Sequence, residues 1–110
     1  MARIDYIELP GQQLAATKAF YEATFGWSFT DFGPEYSSTE SGDVDLGLDA
    51  STEAVKVPLP VIRVSNLERA AAAVEAAGGV INVPIFGFPG GRRFHFKDPS
   101  GNELAVWCTP

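Results

Sequence analysis

The period of hydrophobic and polar positions changes along this chain, and each change marks an element. Residues 3–9 alternate, with Ile7 and Leu9 on one side and Tyr6 and Glu8 on the other, the period of a strand. Pro10-Gly11 breaks it. From 12 to 25 the period lengthens. Ala16, Ala19, Phe20 and Ala23 fall at i, i+3, i+4 and i+7, which predicts a helix with that stripe facing a core. Gly26 stands where a left-handed cap would close it. Strands are expected at 27–31, 35–39 and 43–49, separated by turns at Gly33-Pro34 and Ser41-Gly42.

After a linker at about 50–58 the same order returns. Residues 59–64 read as a strand with Ile62 and Val64 on one face. Ser65 and Glu68 have the spacing of a capping box. Leu67, Ala70, Ala71, Val74 and Ala77 form a second helical stripe, and Gly78-Gly79 ends it. Strands follow at 80–83, 92–97 and 103–108, with Asp98-Pro99-Ser100-Gly101-Asn102 as the turn between the last two. Tyr6 maps onto Leu59, Leu14 onto Leu67 and Gly26 onto Gly79 at one constant offset, so the chain is an internal repeat. The fold class is therefore α+β. Paired βαβββ modules, at about 3–49 and 59–108 of one domain spanning 1–110, form a curled mixed sheet, a cup with the helices on its convex face.

Alternation then sorts the side chains of that sheet. Tyr6, Glu8, Val61, Arg63, Arg93, His95, Glu103 and Trp107 share the concave face, opposite the helix-facing Ile7, Ile62, Phe94, Phe96, Leu104 and Val106. Aromatic rings with a few convergent polar groups describe a small-molecule pocket.

Composition narrows the partners. With 110 residues and 45% hydrophobic content the chain builds one core, and its small size favours a homodimer. A net charge of −6 repels nucleic acid and anionic lipid, so neither nucleic acid nor membrane is an expected partner. There is no run of the length that spans a bilayer, no apolar stretch like a signal peptide at the N-terminus, and one cysteine, Cys108, which cannot form an internal disulfide. Together these point to a cytoplasmic protein.

Ile7-Glu8-Leu9-Pro10, then Ala19-Phe20-Tyr21 with Phe25-Gly26-Trp27, then Ala76-Ala77-Gly78-Gly79, then Asp98-Pro99-Ser100-Gly101-Asn102 occur in order along nearly the whole chain. In these segments the chain resembles the vicinal oxygen chelate superfamily, which holds glyoxalase I, bleomycin-resistance proteins and extradiol dioxygenases. The resemblance implies paired βαβββ modules around a cup, usually completed as a homodimer. It also implies a divalent metal held by His and Glu on the concave strands, with open positions for vicinal oxygens. Carried over one at a time, those ligand positions fall on Tyr6, Leu59, Ala105 and close to Gly47. Leucine, alanine and glycine side chains cannot ligate, and tyrosine does so rarely. The usual metal is therefore not expected, nor any other cofactor. His95, Glu8 and Glu103 are the only alternative set of donors.

The residues expected to contact a ligand are Tyr6, Glu8, Arg63, Arg93, His95 and Trp107. His95, the single histidine, is either a general base near neutral pH or a hydrogen-bonded wall residue. Glu8 and Tyr6 are the other acid–base candidates. Arg63 either pairs with Glu8 or grips an anionic group with its planar fork. Gly90-Gly91 before Arg92-Arg93 reads as a plain loop or a cationic flap. Trp107 and Tyr6 either stack on a planar ligand or fill space, whereas Trp27, Phe20 and Cys108 read as core. The expected function is binding of a small organic molecule without the metal. The alternative is an enzyme of the lyase, isomerase or dioxygenase type that uses acid–base residues or a non-standard metal site.

Overall fold

The computed structural model describes residues 2–110 and contains two compact units. The N-terminal unit comprises Tyr6–Leu59. The C-terminal unit comprises Pro60–Pro110 together with the start of the chain up to Asp5.

The N-terminal unit is built from β1 (Arg3–Pro10) from Tyr6 onward, α1 (Leu14–Phe25), β2 (Thr30–Asp31), β3 (Tyr36–Ser38) and β4 (Asp45–Asp49). Its strands lie in the order β2-β3-β4-β1, antiparallel except for the parallel β4–β1 pair. The C-terminal unit is built from β5 (Leu59–Arg63), α2 (Leu67–Ala76), β6 (Val80–Phe88), β7 (Gly91–Lys97) and β8 (Glu103–Cys108). Here the order is β5-β8-β7-β6, again with one parallel pair, β5–β8. Both units thus run strand, helix, three strands, and the fold class is α+β. In each, the helix is part of the long crossover that a parallel pair requires.

The core of the C-terminal unit follows the sequence periods. Leu67, Phe94, Val106 and Cys108 are buried together, and Ile62, Ala70, Ala71, Val74 and Phe96 pack against them. Leu67 and Phe94 are fully buried, and each such side chain stabilises the fold by about 1.5–3 kcal/mol. Cys108 is a buried free thiol, part of the core as expected. The α2 cap differs from the expected one by a residue. Asn66, not Ser65, is the N-cap, and its side chain accepts from the Arg69 backbone N–H at 2.9 Å. Asn caps as well as Ser, and Glu68 is drawn away to the Arg92 guanidinium.

The inward face of α1 is not the predicted one. Leu14, Thr17, Lys18 and Tyr21 are half-buried, while Ala16, Ala19, Phe20 and Ala23 are exposed. Phe20 is 58% exposed. A polar contact lies on the inward side instead of the apolar stripe. The Lys18 Nζ pairs with the Asp31 carboxylate at 2.7 Å, and that carboxylate also takes the hydroxyl of Ser37, which is fully buried. These two donors hold the Asp31 carboxyl below its ordinary range. Tyr21 stacks on Trp27 with ring centroids 5.3 Å apart, and Trp27 stays largely exposed. Neither Phe20 nor Trp27 belongs to a core, and the strand expected over 27–31 shrinks to its last two residues.

In the other direction, β6 runs on to Phe88, and the Phe88↔Gly91 pair closes a tight hairpin around Pro89-Gly90. The expected loop or flap is therefore the tip of a ladder. Arg92 forms a two-pronged ion pair with Glu68, its second prong 3.2 Å long. Leu67→Ala should cost about 2–5 kcal/mol in urea unfolding, and Phe20→Ala should change stability by no more than ~0.5 kcal/mol. Equal losses from the two variants would contradict the orientation of α1.

Candidate functional site

Two clusters of polar side chains stand on the sheet faces turned away from the helices, one in each unit. In the N-terminal unit, alternation along β1 sends Ile7 and Leu9 to the α1 side and Tyr6 and Glu8 to the other. The β1–β4 register sets Glu8 beside Gly47, and β3 sets Ser38 on the other side of Gly47. Tyr36, at the start of β3, lies on the same face. Its phenol donates to Glu8 Oε2 at 2.9 Å. A phenol has one proton, so Tyr6 is the donor in the Tyr6–Tyr36 contact of 2.5 Å. The result is a directional chain, Tyr6 to Tyr36 to Glu8. Glu8 is only 6% exposed. Burial first, then the neighbouring Glu8 carboxylate and the Tyr6 phenol, push the Tyr36 hydroxyl far above the usual tyrosine range.

Gly47 makes room for this chain. A β-carbon built at that position would collide with both phenol oxygens. An isolated glycine inside a strand often marks such a close approach. That signal, with Tyr36 on a neighbouring strand, is what the sequence reading passed over.

In the C-terminal unit, β7 pairs with β8 so that His95 faces Ala105 and Arg93 faces Trp107, while Arg63 on β5 pairs with Trp107 from the other side. These side chains share the face opposite α2. His95 is 5% exposed, and its Nδ1 lies 2.9 Å from Glu103 Oε2. Burial alone would raise the Glu103 carboxyl, but hydrogen bonds from His95 and Asn82 more than offset it and hold the group below its ordinary value. A carboxylate only accepts, so Nδ1–H is the donor of this bond, and the tautomer with its proton there has Nε2 as an acceptor. That Nε2 is buried and has no hydrogen-bond partner among the described residues. The Phe86 ring lies 6.2 Å from the imidazole, and the Arg93 guanidinium lies 5.6 Å from the Phe86 centroid. The Trp107 indole N–H donates to Asp5 at 3.0 Å, which fixes the ring, and the exposed Arg63 guanidinium stacks over it at 5.0 Å. Cation–π contacts of this kind contribute about 0.5–2 kcal/mol.

Of the six residues expected to meet a ligand, the structure thus joins Tyr6 and Glu8 through Tyr36. It sets Arg63, Arg93, His95 and Trp107 on one face of the C-terminal unit. The N-terminal unit also has, on its α1 side, an open groove of about 440 Å³ walled by Ile7, Trp27, Val44 and Leu46. The Asp45 carboxylate at its rim is already taken by Thr39, Ser41 and Gly42.

A model of the Glyoxalase/Bleomycin resistance protein/Dioxygenase superfamily matches residues 3–106. The chain belongs to this superfamily. No curated protein matches it. Solved structures share the superfamily fold. A structure described as an NAD-dependent benzaldehyde dehydrogenase from Legionella pneumophila matches with a TM-score of 0.78 at 16% identity, covering 96% of this chain and 98% of that one. Methylmalonyl-CoA epimerase from Mycobacterium tuberculosis matches with a TM-score of 0.74 at 13% identity, covering 97% and 87%. A Mn(II)-bound glyoxalase from Novosphingobium aromaticivorans matches with a TM-score of 0.72 at 20% identity, covering 98% of this chain and 40% of that one.

The residues on or close to which the resemblance places metal ligands do not fit a divalent metal. Tyr6 is engaged with Tyr36, Gly47 has no side chain, and Leu59 and Ala105 are fully buried apolar residues. Among the described residues no three His, Cys, Asp or Glu side chains converge as metal ligands, so His95, Glu8 and Glu103 do not form an alternative set. Gly47→Ala tests the close approach on which the phenol pair depends. We expect a loss of about 1–3 kcal/mol in urea unfolding from overpacking, and a variant as stable as the parent would show that Tyr6 and Tyr36 do not meet there.

Proposed function

We propose that this chain is a superfamily member that binds a small organic molecule and does so without the family's divalent metal. One observation carries the reading. Tyr6 and Gly47, where the resemblance places two metal ligands, converge on a hydrogen-bonded Tyr6–Tyr36–Glu8 chain. Any metal entering there would have to break two partly buried hydrogen bonds and would gain at most one carboxylate and two phenols. Hard and borderline divalent ions have far better donors available in water and in ordinary His/Glu sites.

The polar face of the C-terminal unit suits an uncharged or anionic organic ligand. His95 Nε2 lies there without a hydrogen-bond partner among the described residues, and Arg63 supplies positive charge within a chain that is acidic overall. Aromatic rings beside these polar groups provide apolar contact area.

Metal content and ligand binding of the untagged protein test the reading together. After exchange into metal-free buffer, well under one transition metal should remain per chain, and added Mn²⁺ or Zn²⁺ should give no stoichiometric heat in a calorimetric titration. A screen of small organic molecules by thermal shift should find binders. A ligand at 100 times its Kd stabilises the fold by about 2.7 kcal/mol. One tightly held metal per chain would overturn the metal-free reading, and a screen in which no organic molecule raises the Tm would overturn the binding reading.

A further inference from the structure

The buried imidazole acceptor and the exposed guanidinium of the C-terminal unit specify a ligand more narrowly than its face alone does. His95 is held rigidly: its Nδ1 is tied to Glu103, its flank lies against Phe86, and strands pair on both sides of it. A ring fixed in this way, with Nε2 buried and unmatched, leaves a desolvated acceptor that protein seldom tolerates. It calls for a hydrogen-bond donor from outside the chain.

Arg63 is the complementary group. It ends β5, is exposed, and among the described residues is bonded to no carboxylate; its contact is the face of Trp107. Stacking uses the face of a guanidinium and leaves its N–H edge free for a two-oxygen anion. Trp107 stands between the two groups, paired in register with both Arg63 and Arg93 and locked by Asp5. Phe86 and Phe88, both more than a third exposed, border the same face.

The register also sets a spacing. Arg63 and His95 are two strands apart and offset by two residues, because His95 pairs with Ala105 and Arg63 with Trp107. Ordinary sheet dimensions then separate their Cα atoms by about 12 Å. One substituted ring, reached by a side chain at each end, bridges a spacing of that order.

We infer that this face binds a planar aromatic acid with a hydroxyl group at the end remote from its carboxylate. The carboxylate pairs with the Arg63 edge, the ring lies along Trp107, and the hydroxyl donates to His95 Nε2. Because Nε2 is buried, this binding requires the partly exposed Phe86 ring to move aside. This inference rests on the small-molecule reading above and names the class of molecule.

The probes are 4-hydroxybenzoate, benzoate and phenol, titrated against the intact chain. His95 is the only histidine, so the ¹⁵N signals of one imidazole report the site without assignment. In the free protein the Nε2 signal should lie at the unprotonated position. 4-Hydroxybenzoate should move it toward the hydrogen-bonded position and bind on the order of 10-fold or more tighter than benzoate or phenol, the size expected for a bond to a buried group. Arg63→Gln, on an exposed strand end, should weaken 4-hydroxybenzoate by a similar factor and leave phenol unchanged. Three outcomes overturn the inference: 4-hydroxybenzoate binding no tighter than benzoate, binding that leaves the His95 signals unmoved, or an Arg63→Gln variant with unchanged affinity. If any of these occurs while other organic molecules bind, only the inference falls. If no organic molecule binds, the small-molecule reading falls with it.

Discussion

Two phenol oxygens meet in the N-terminal unit because the residue beneath them has no side chain. At Gly47 a single β-carbon would displace Tyr6 and Tyr36 together. With it absent, Tyr6 donates to Tyr36 and Tyr36 donates to Glu8, and a nearly buried carboxylate gains a partner. Each hydrogen bond to a buried carboxylate offsets part of its desolvation, and the glycine, the two tyrosines and the glutamate form one connected set. It occupies strands whose other face carries Ile7, Leu46 and Leu48. Tyr36 is held high by burial and by Glu8, so it keeps its proton and remains a donor at any ordinary pH.

The C-terminal unit uses the same strand alternation differently. One face of β7 and β8 supplies Phe94, Val106 and Cys108 to the core under α2. The opposite face presents His95, Arg93 and Trp107. Because the side-chain period is two residues, a one-residue slip of the β7–β8 register would exchange these sets. The core therefore holds the polar face in register. Glu103, on the same face, holds His95 at Nδ1, and Asp5 of β1 holds the Trp107 ring.

Much of this was legible in the sequence. Period-two alternation placed Phe94, Phe96 and Val106 opposite His95 and Trp107, and the Leu67, Ala70, Ala71, Val74 stripe identified the buried face of α2. The turn at Asp98–Asn102 read correctly because its residues bond to their own backbone. The stripe on α1 misled because it was judged by hydrophobicity. The inward side of α1 instead carries Lys18, whose partner Asp31 lies on β2 and also binds the buried Ser37, and no local pattern reveals an ion pair of that kind. Ser65 and Asn66 are both good caps, and backbone conformation chose between them. Tyr36 was missed because its importance comes from contacts made across two other strands. Gly47 alone carried a trace of it.

The central claim is that Tyr36 is locked between Tyr6 and Glu8 in the space that Gly47 leaves open. Absorbance titration of the chain's three tyrosines with rising pH, in the intact folded protein, tests it most directly. The account predicts that the Tyr36 phenol resists ionisation, so that part of the tyrosinate signal appears only when the fold opens, as a step that coincides with loss of far-ultraviolet circular dichroism. All three phenols ionising near pH ~10, the value for free tyrosine, while the protein remains folded, would contradict it.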